Sequence, residues 1–134
     1  MSGANSLLLL VGRILLAGVF IRYGYHNLFV GGIDGTAAQL TSHGFPEPKI
    51  LAYAAQGCQL AGGILLFVGF LTRFAAVLLA VYVAALAVIF HNYWAMDPAQ
   101  LGVQTAFFYY HLSLVGGLLT LAVAGAGKLS IDRG

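Results

Sequence analysis

The stretch Gln59–Arg73, QLAGGILLFVGFLTR, decides how the chain folds. It lies inside residues 50–96, a run of 47 in which Arg73 is the only formally charged side chain. A helix that crosses a bilayer needs about 20 mainly apolar residues, so the run holds two of them, joined at Gly69-Phe70-Leu71-Thr72-Arg73. Hydrocarbon gives the backbone no hydrogen-bond partner, and both arms are therefore expected to be helical. The reading is a membrane hairpin with a very tight turn, Arg73 standing at the headgroups on the turn side.

Working outward, the chain of 134 residues is 60% hydrophobic and 7% charged, whereas soluble domains carry roughly 25% charged residues. That balance describes an integral membrane protein built as one transmembrane domain, residues 1–134. Net charge is +2, and the six Lys and Arg residues are scattered, which leaves no basic patch for nucleic acid. The opening MSGANSLLLLVGR lacks a positive segment and a small-residue cleavage site, and Arg13 interrupts its apolar run, so it reads as a retained first helix. The single cysteine, Cys58, excludes an intrachain disulfide and any paired-cysteine redox or zinc motif, and reads as a small packing residue.

Four spans are expected, at about 7–29, 50–70, 73–94 and 105–125, giving an all-α membrane four-helix bundle. The long connection from Val30 to Lys49 contains Gly31-Gly32, Gly35, Gly44 and Pro46-Glu47-Pro48. Within it, Asp34 to His43 is expected to form a short interfacial helix N-capped by Asp34, and Asp97 is expected to cap a short helical lead into span four. Arg73, Lys128 and Arg133 fall on one side and Lys49 on the other. The excess of positive charge places both termini and the 70–73 turn in the cytoplasm of a bacterial inner membrane.

That orientation gathers His26, Gln56, Gln59, His91 and His111 into the outer half of the membrane, with His43 in the outer loop. Arg22, Tyr23, Tyr25, Asn27, Tyr53, Asn92, Tyr93, Trp94, Tyr109 and Tyr110 surround them. An interfacial aromatic belt accounts for Tyr93 and Trp94 without any function. Tyr109 and Tyr110, about 100° apart on a helix, cannot both face one neighbour. Gln56 and Gln59 share a helical face with Gly63, while Gly57 and Ala61 form a small-residue pair on another side. The two amides read either as an interhelical hydrogen bond or as donors to a ligand carbonyl. Arg13 and Arg22 are roughly 180° apart, so one core cannot bury both, and each is expected to snorkel to its nearer headgroups. An ionisable group within a span is still a functional candidate, and Arg22 and His26, four residues apart, suit an anionic or quinone-like head group or another subunit. His91 and His111, at similar depth on consecutive helices, have the disposition of bis-histidine haem ligands. With no acidic partner or HxxxH pattern, haem or metal is disfavoured against a satisfied histidine or a proton-handling one. No nucleotide-binding or hydrolase motif occurs, and no carboxylate lies in a span, so independent hydrolysis and obvious proton-coupled transport are not expected.

The ordered set Arg13, Phe20 and Gly24, then Gly44-Phe45-Pro46, Gly62-Gly63, Gly69, Thr72-Arg73, His91, Gly125-Ala126-Gly127 and Asp132 resembles the DoxX family of small four-helix membrane proteins, from about Leu8 to Asp132. Two departures stand out: Asn27 where relatives often carry lysine, and Gln59 where they commonly carry glutamate. Neutralising both together avoids one unpaired buried charge. The resemblance implies association with quinone-linked respiratory oxidoreductases, since such proteins are similar to the membrane subunit of thiosulfate:quinone oxidoreductase. The expected protein is thus a subunit without its own redox centre or catalytic residue, holding a quinone or quinol near the outer face through Arg22, His26, Gln56, Gln59, His91 and His111. The other reading is a structural or assembly subunit with no ligand chemistry, docking through Arg22 and glycine-rich helix faces; a small-solute carrier or haem protein ranks behind both. In each case the bilayer and a protein partner or second copy are the expected surroundings.

Overall fold

The computed structural model describes residues 2–134 and contains five α-helices: α1 Gly3–Tyr25, α2 Ile33–Ser42, α3 Pro48–Val68, α4 Thr72–Phe90 and α5 Pro98–Ala124. Of these, α1, α3, α4 and α5 are long and apolar enough to cross a membrane, and no strand occurs among the described residues. The chain is an all-α membrane four-helix bundle in which α2 lies across one end. We call that end, with its two connections, the loop end, and the other, with the α3–α4 turn, the hairpin end.

Local sequence sets the helix boundaries. Ser2 accepts a hydrogen bond from the Asn5 amide at 3.1 Å and starts α1. Pro48 and Pro98 open α3 and α5, where a missing N–H costs nothing. Asp34 does not cap α2 as expected. Gly32 holds the N-cap of α2, and Asp34 lies in its first turn, where its charge still favours the helix dipole. Asp97 occupies the N-cap of α5 without a side-chain capping bond. The expected lead and span four are one continuous helix of 27 residues. At 1.5 Å per residue it is about 40 Å long, more than the roughly 30 Å of hydrocarbon.

α1 packs along α3, α3 along α4 and α4 along α5, while α5 meets α1 only lightly. Phe20, Leu66, Leu79, Val83, Leu118 and Leu121 fill the centre, with Ala75, Ala76 and Ala80 bringing α4 close. Bilayer lipid is as apolar as these side chains, so close approach through small residues drives the association. A Cβ on Gly24 would lie 2.9 Å from the Leu60 backbone nitrogen, and one on Gly63 2.9 Å from Phe20 Cβ. Those are the intimate contacts of α1 and α3. The expected pair at Gly57 and Ala61 is not one, for nothing lies within 4 Å of a Cβ on Gly57.

The hairpin end is tied together by the tail that follows α5. Ile131 N–H donates to Val68 O at 3.1 Å and Asp132 N–H to Gly69 O at 2.8 Å. The Asp132 carboxylate accepts from the Leu71 and Thr72 amides at 3.0 and 2.9 Å. Those N–H groups are the orphan donors at the start of α4, so Asp132 caps α4 from 60 residues away. The amide of Thr72 holds its carboxyl below the usual carboxylate range. Arg13 departs from its expected snorkelling. It is 2% exposed and donates to the carbonyls of Ala126 at 2.6 Å, Leu129 at 2.9 Å and Phe67 at 3.4 Å. Carbonyls left over at the end of α3 and along the tail offer it a closer partner than the headgroups do. Arg73 stays exposed and donates to Ala122 O at 3.1 Å and to Val123 O, covering the C-terminal carbonyls of α5.

Candidate functional site

At the loop end α1 leaves its regular path in a single π turn, His26–Val30, closed by Gly31 at φ 132°. α2 then lies over α3, with Ile33, Leu40 and Ala52 buried between them and Phe45 and Phe90 against their edge. This lid sets Thr36 over Gln56. On the far side the turn Tyr93–Ala95 folds its aromatic rings onto α5: Phe108 lies 5.4 Å from both Tyr93 and Trp94.

Between these elements is a cavity of about 590 Å³, apolar for most of its lining. Its polar wall includes Gln56, Gln59, Tyr82, His91 and His111, with Thr36, Asn27 and Gln39 beside them, and Phe20, Val83, Phe90, Phe107 and Leu114 are among its apolar lining. Gln56 and Gln59 are 6% and 9% exposed. Gln56 Nε2 donates to Thr36 Oγ1 at 3.2 Å, and Thr36 Oγ1 donates in turn to Gly32 O at 3.2 Å. Tyr82 donates to Gln59 Oε1 at 3.1 Å. His91 Nδ1 pairs with Gln104 Oε1 at 2.7 Å, and His111 Nδ1 with Phe107 O at 2.8 Å. The two imidazole rings face each other at 4.5 Å between centroids. Gln56 Oε1 is buried and has no hydrogen-bond partner.

Four of the six expected site residues, Gln56, Gln59, His91 and His111, therefore meet in one cavity. Arg22 and His26 do not line it. Arg22 is exposed with its guanidinium 6.0 Å from the Tyr23 ring, and half-buried His26 lies beside Asn27, its Nδ1 3.5 Å from Asn27 Oδ1. His43 packs edge-on against Phe90 at 4.6 Å. Tyr82 and Thr36 belong to the wall and Gln104 holds His91, and the sequence reading passed over all three. Tyr82 carried a signal, being the only polar side chain between Arg73 and His91. Thr36 and Gln104 carried none, because their partners are brought to them by the α2 lid and by the extra turns of α5. Among the described residues no three of His, Cys, Asp and Glu come together as metal ligands would.

Four membrane-crossing helices around a cavity with a buried polar wall define a small multi-pass membrane protein with a ligand-sized site at one end. The DoxX family model matches residues 8–92, and the chain belongs to the DoxX family. It is 37% identical over 130 residues to inner membrane protein YphA of Escherichia coli, covering 97% of this chain and 91% of YphA. Inner membrane protein YqjF of the same organism is 33% identical over 127 residues, covering 92% of this chain and 88% of YqjF. The SURF4 family model matches residues 56–134. The ER-derived vesicles protein ERV29 of Saccharomyces cerevisiae is 33% identical over 74 residues, 55% of this chain and 24% of ERV29. No solved structure matches.

Proposed function

We propose that the chain is an inner-membrane subunit that binds a quinone or quinol head group in the loop-end cavity and works beside an oxidoreductase carrying its own redox centre. The observation that carries this reading is the convergence of Gln56, Gln59, His91 and His111 on one largely apolar cavity of about 590 Å³. That volume falls among those of sites for small organic ligands, roughly 300–1,000 Å³. The residues fit a quinone or quinol: an apolar wall for the ring and tail, and polar side chains within reach of its oxygens. When bound, a quinone supplies transfer of two electrons and two protons. The chain's part is to hold and orient the head group, with His91 and His111 as its proton-handling side chains. Arg73, Lys128 and Arg133 at the hairpin end, against Lys49 at the loop end, orient the cavity toward the periplasm.

The test is purification from native membranes in mild detergent, followed by mass spectrometry of extracted lipids and co-purifying subunits. Stoichiometric quinone is expected, and it is lost in Gln59→Leu and His91→Ala. Retention of a stable protein partner with no quinone would replace this reading with that of a structural or assembly subunit.

A further inference from the structure

The direction of each hydrogen bond around the cavity can be followed from proton to acceptor. Thr36 spends its hydroxyl proton on Gly32 O, so its oxygen receives from Gln56, and the Gln56 amide is fixed with nitrogen toward Thr36. Gln56 Oε1 is left over, an acceptor 94% enclosed with its residue and without a donor. The carbonyl of Phe107 can only accept, so His111 Nδ1 bears the proton of that bond, and in the neutral ring Nε2 is an acceptor. His91 Nδ1 donates to Gln104 Oε1 in the same way and leaves its own Nε2 as an acceptor. Tyr82 spends its proton on Gln59 Oε1. Among the buried wall groups the Gln59 amide nitrogen and the second N–H of Gln56 Nε2 remain to donate.

We infer that the cavity is built for the reduced, proton-bearing form of its ligand: a quinol whose two hydroxyls donate to two of these three acceptors, Gln56 Oε1 and Nε2 of His91 or His111. This rests on the quinone-site reading above and adds to it the redox state of the ligand. A quinone oxygen can only accept, so it leaves these three acceptors bare; a hydroxyl donates to one of them and still receives from Gln59. A site built to pair with a hydroxyl rejects the analogue that lacks it far more strongly than one that discriminates by shape.

The experiment is equilibrium binding to the full chain in lipid nanodiscs with three probes on one short alkyl tail: a hydroquinone, its benzoquinone and its dimethyl ether. The hydroquinone is expected to bind at least tenfold tighter than the benzoquinone, and the dimethyl ether no better than the benzoquinone. Gln56→Leu should weaken hydroquinone at least fivefold and leave benzoquinone unchanged, while Gln56→Glu, which keeps an acceptor oxygen, retains the preference. Equal or tighter binding of the benzoquinone overturns the inference and leaves the quinone site standing. Absence of binding by all three, with helical content and melting intact, overturns the quinone site itself.

Discussion

Arg13 carries a charge into the bundle and finds no carboxylate in contact there; three backbone carbonyls take its place. Hydrogen bonds to a charged group contribute about 1.5–3 kcal/mol each, and removing the guanidinium leaves buried carbonyls without donors. Arg13→Leu is expected to cost about 3 kcal/mol, read as a lower melting point and easier unfolding in mild detergent. Arg13→Lys should recover only part of this, because one ammonium cannot span carbonyls fixed by the planar fork. Asp132 makes a prediction in pH. Its folded carboxyl is held below the ordinary value, first by the Thr72 amide, so its stabilisation is fully present above pH about 4 and is lost as pH falls through the lower folded value. The difference in melting temperature between wild type and Asp132→Ala should be constant from pH 5 to 8 and shrink below about pH 4. An unchanged difference in acid would show that Asp132 acts by its shape alone.

Helices set the second scale. Gly24 and Gly63 let α1 and α3 touch backbone to backbone, and a methyl on either would strike its neighbour at 2.9 Å. Gly24→Ala should destabilise by about 1–3 kcal/mol through forced separation, because the near atoms include Leu60 backbone that cannot rotate away. Gly57→Ala, open on every side, should be neutral in the same detergent unfolding measurement. Leu71 supplies the contrast. It sits at φ 50°, left-handed backbone that costs an L-residue about 1–2 kcal/mol, with its side chain half exposed. Leu71→Gly is expected to be neutral or stabilising by up to about 1 kcal/mol, and a loss would mean that the exposed side chain matters more than the strain. The hairpin and its turn were legible from one charged residue in 47, because bilayer thickness sets so strict a length. Which glycines bear the packing was not legible: Gly24, Gly57 and Gly63 look alike in sequence, and only the crossing of α1 and α3 separates them.

At the scale of the molecule, an even number of crossings puts both ends of the chain on one side of the membrane, and the excess of positive residues there is the basis for proposing that this side is the cytoplasm. A reporter that is active only in the periplasm should be silent when fused after Gly134 and active when inserted near Gly44, and the reverse pattern would invert the proposed site. Depth alone grouped the polar residues of the loop end; of these Gln56, Gln59, His91 and His111 line one cavity. Arg22 and His26 lie off it, because depth says nothing of azimuth and α1 turns Gly24, not Arg22, toward its neighbour. Thr36 and Gln104 escaped notice because a lid and an overhanging helix are products of tertiary packing.

The clasp at the hairpin end also orders events in time. Val68, Gly69, Leu71 and Thr72 leave the ribosome some sixty residues before the partners that complete their hydrogen bonds. Until Ile131 and Asp132 arrive, the hairpin has an uncapped helix start and Arg13 lacks Ala126 and Leu129. A chain cut short by a premature stop near Gly125 would carry all four membrane crossings and still be left with an open seam at that end. Such a product is expected to be cut more readily at the hairpin end than the full chain under limited proteolysis in detergent, and equal resistance would mean that the tail adds no lock.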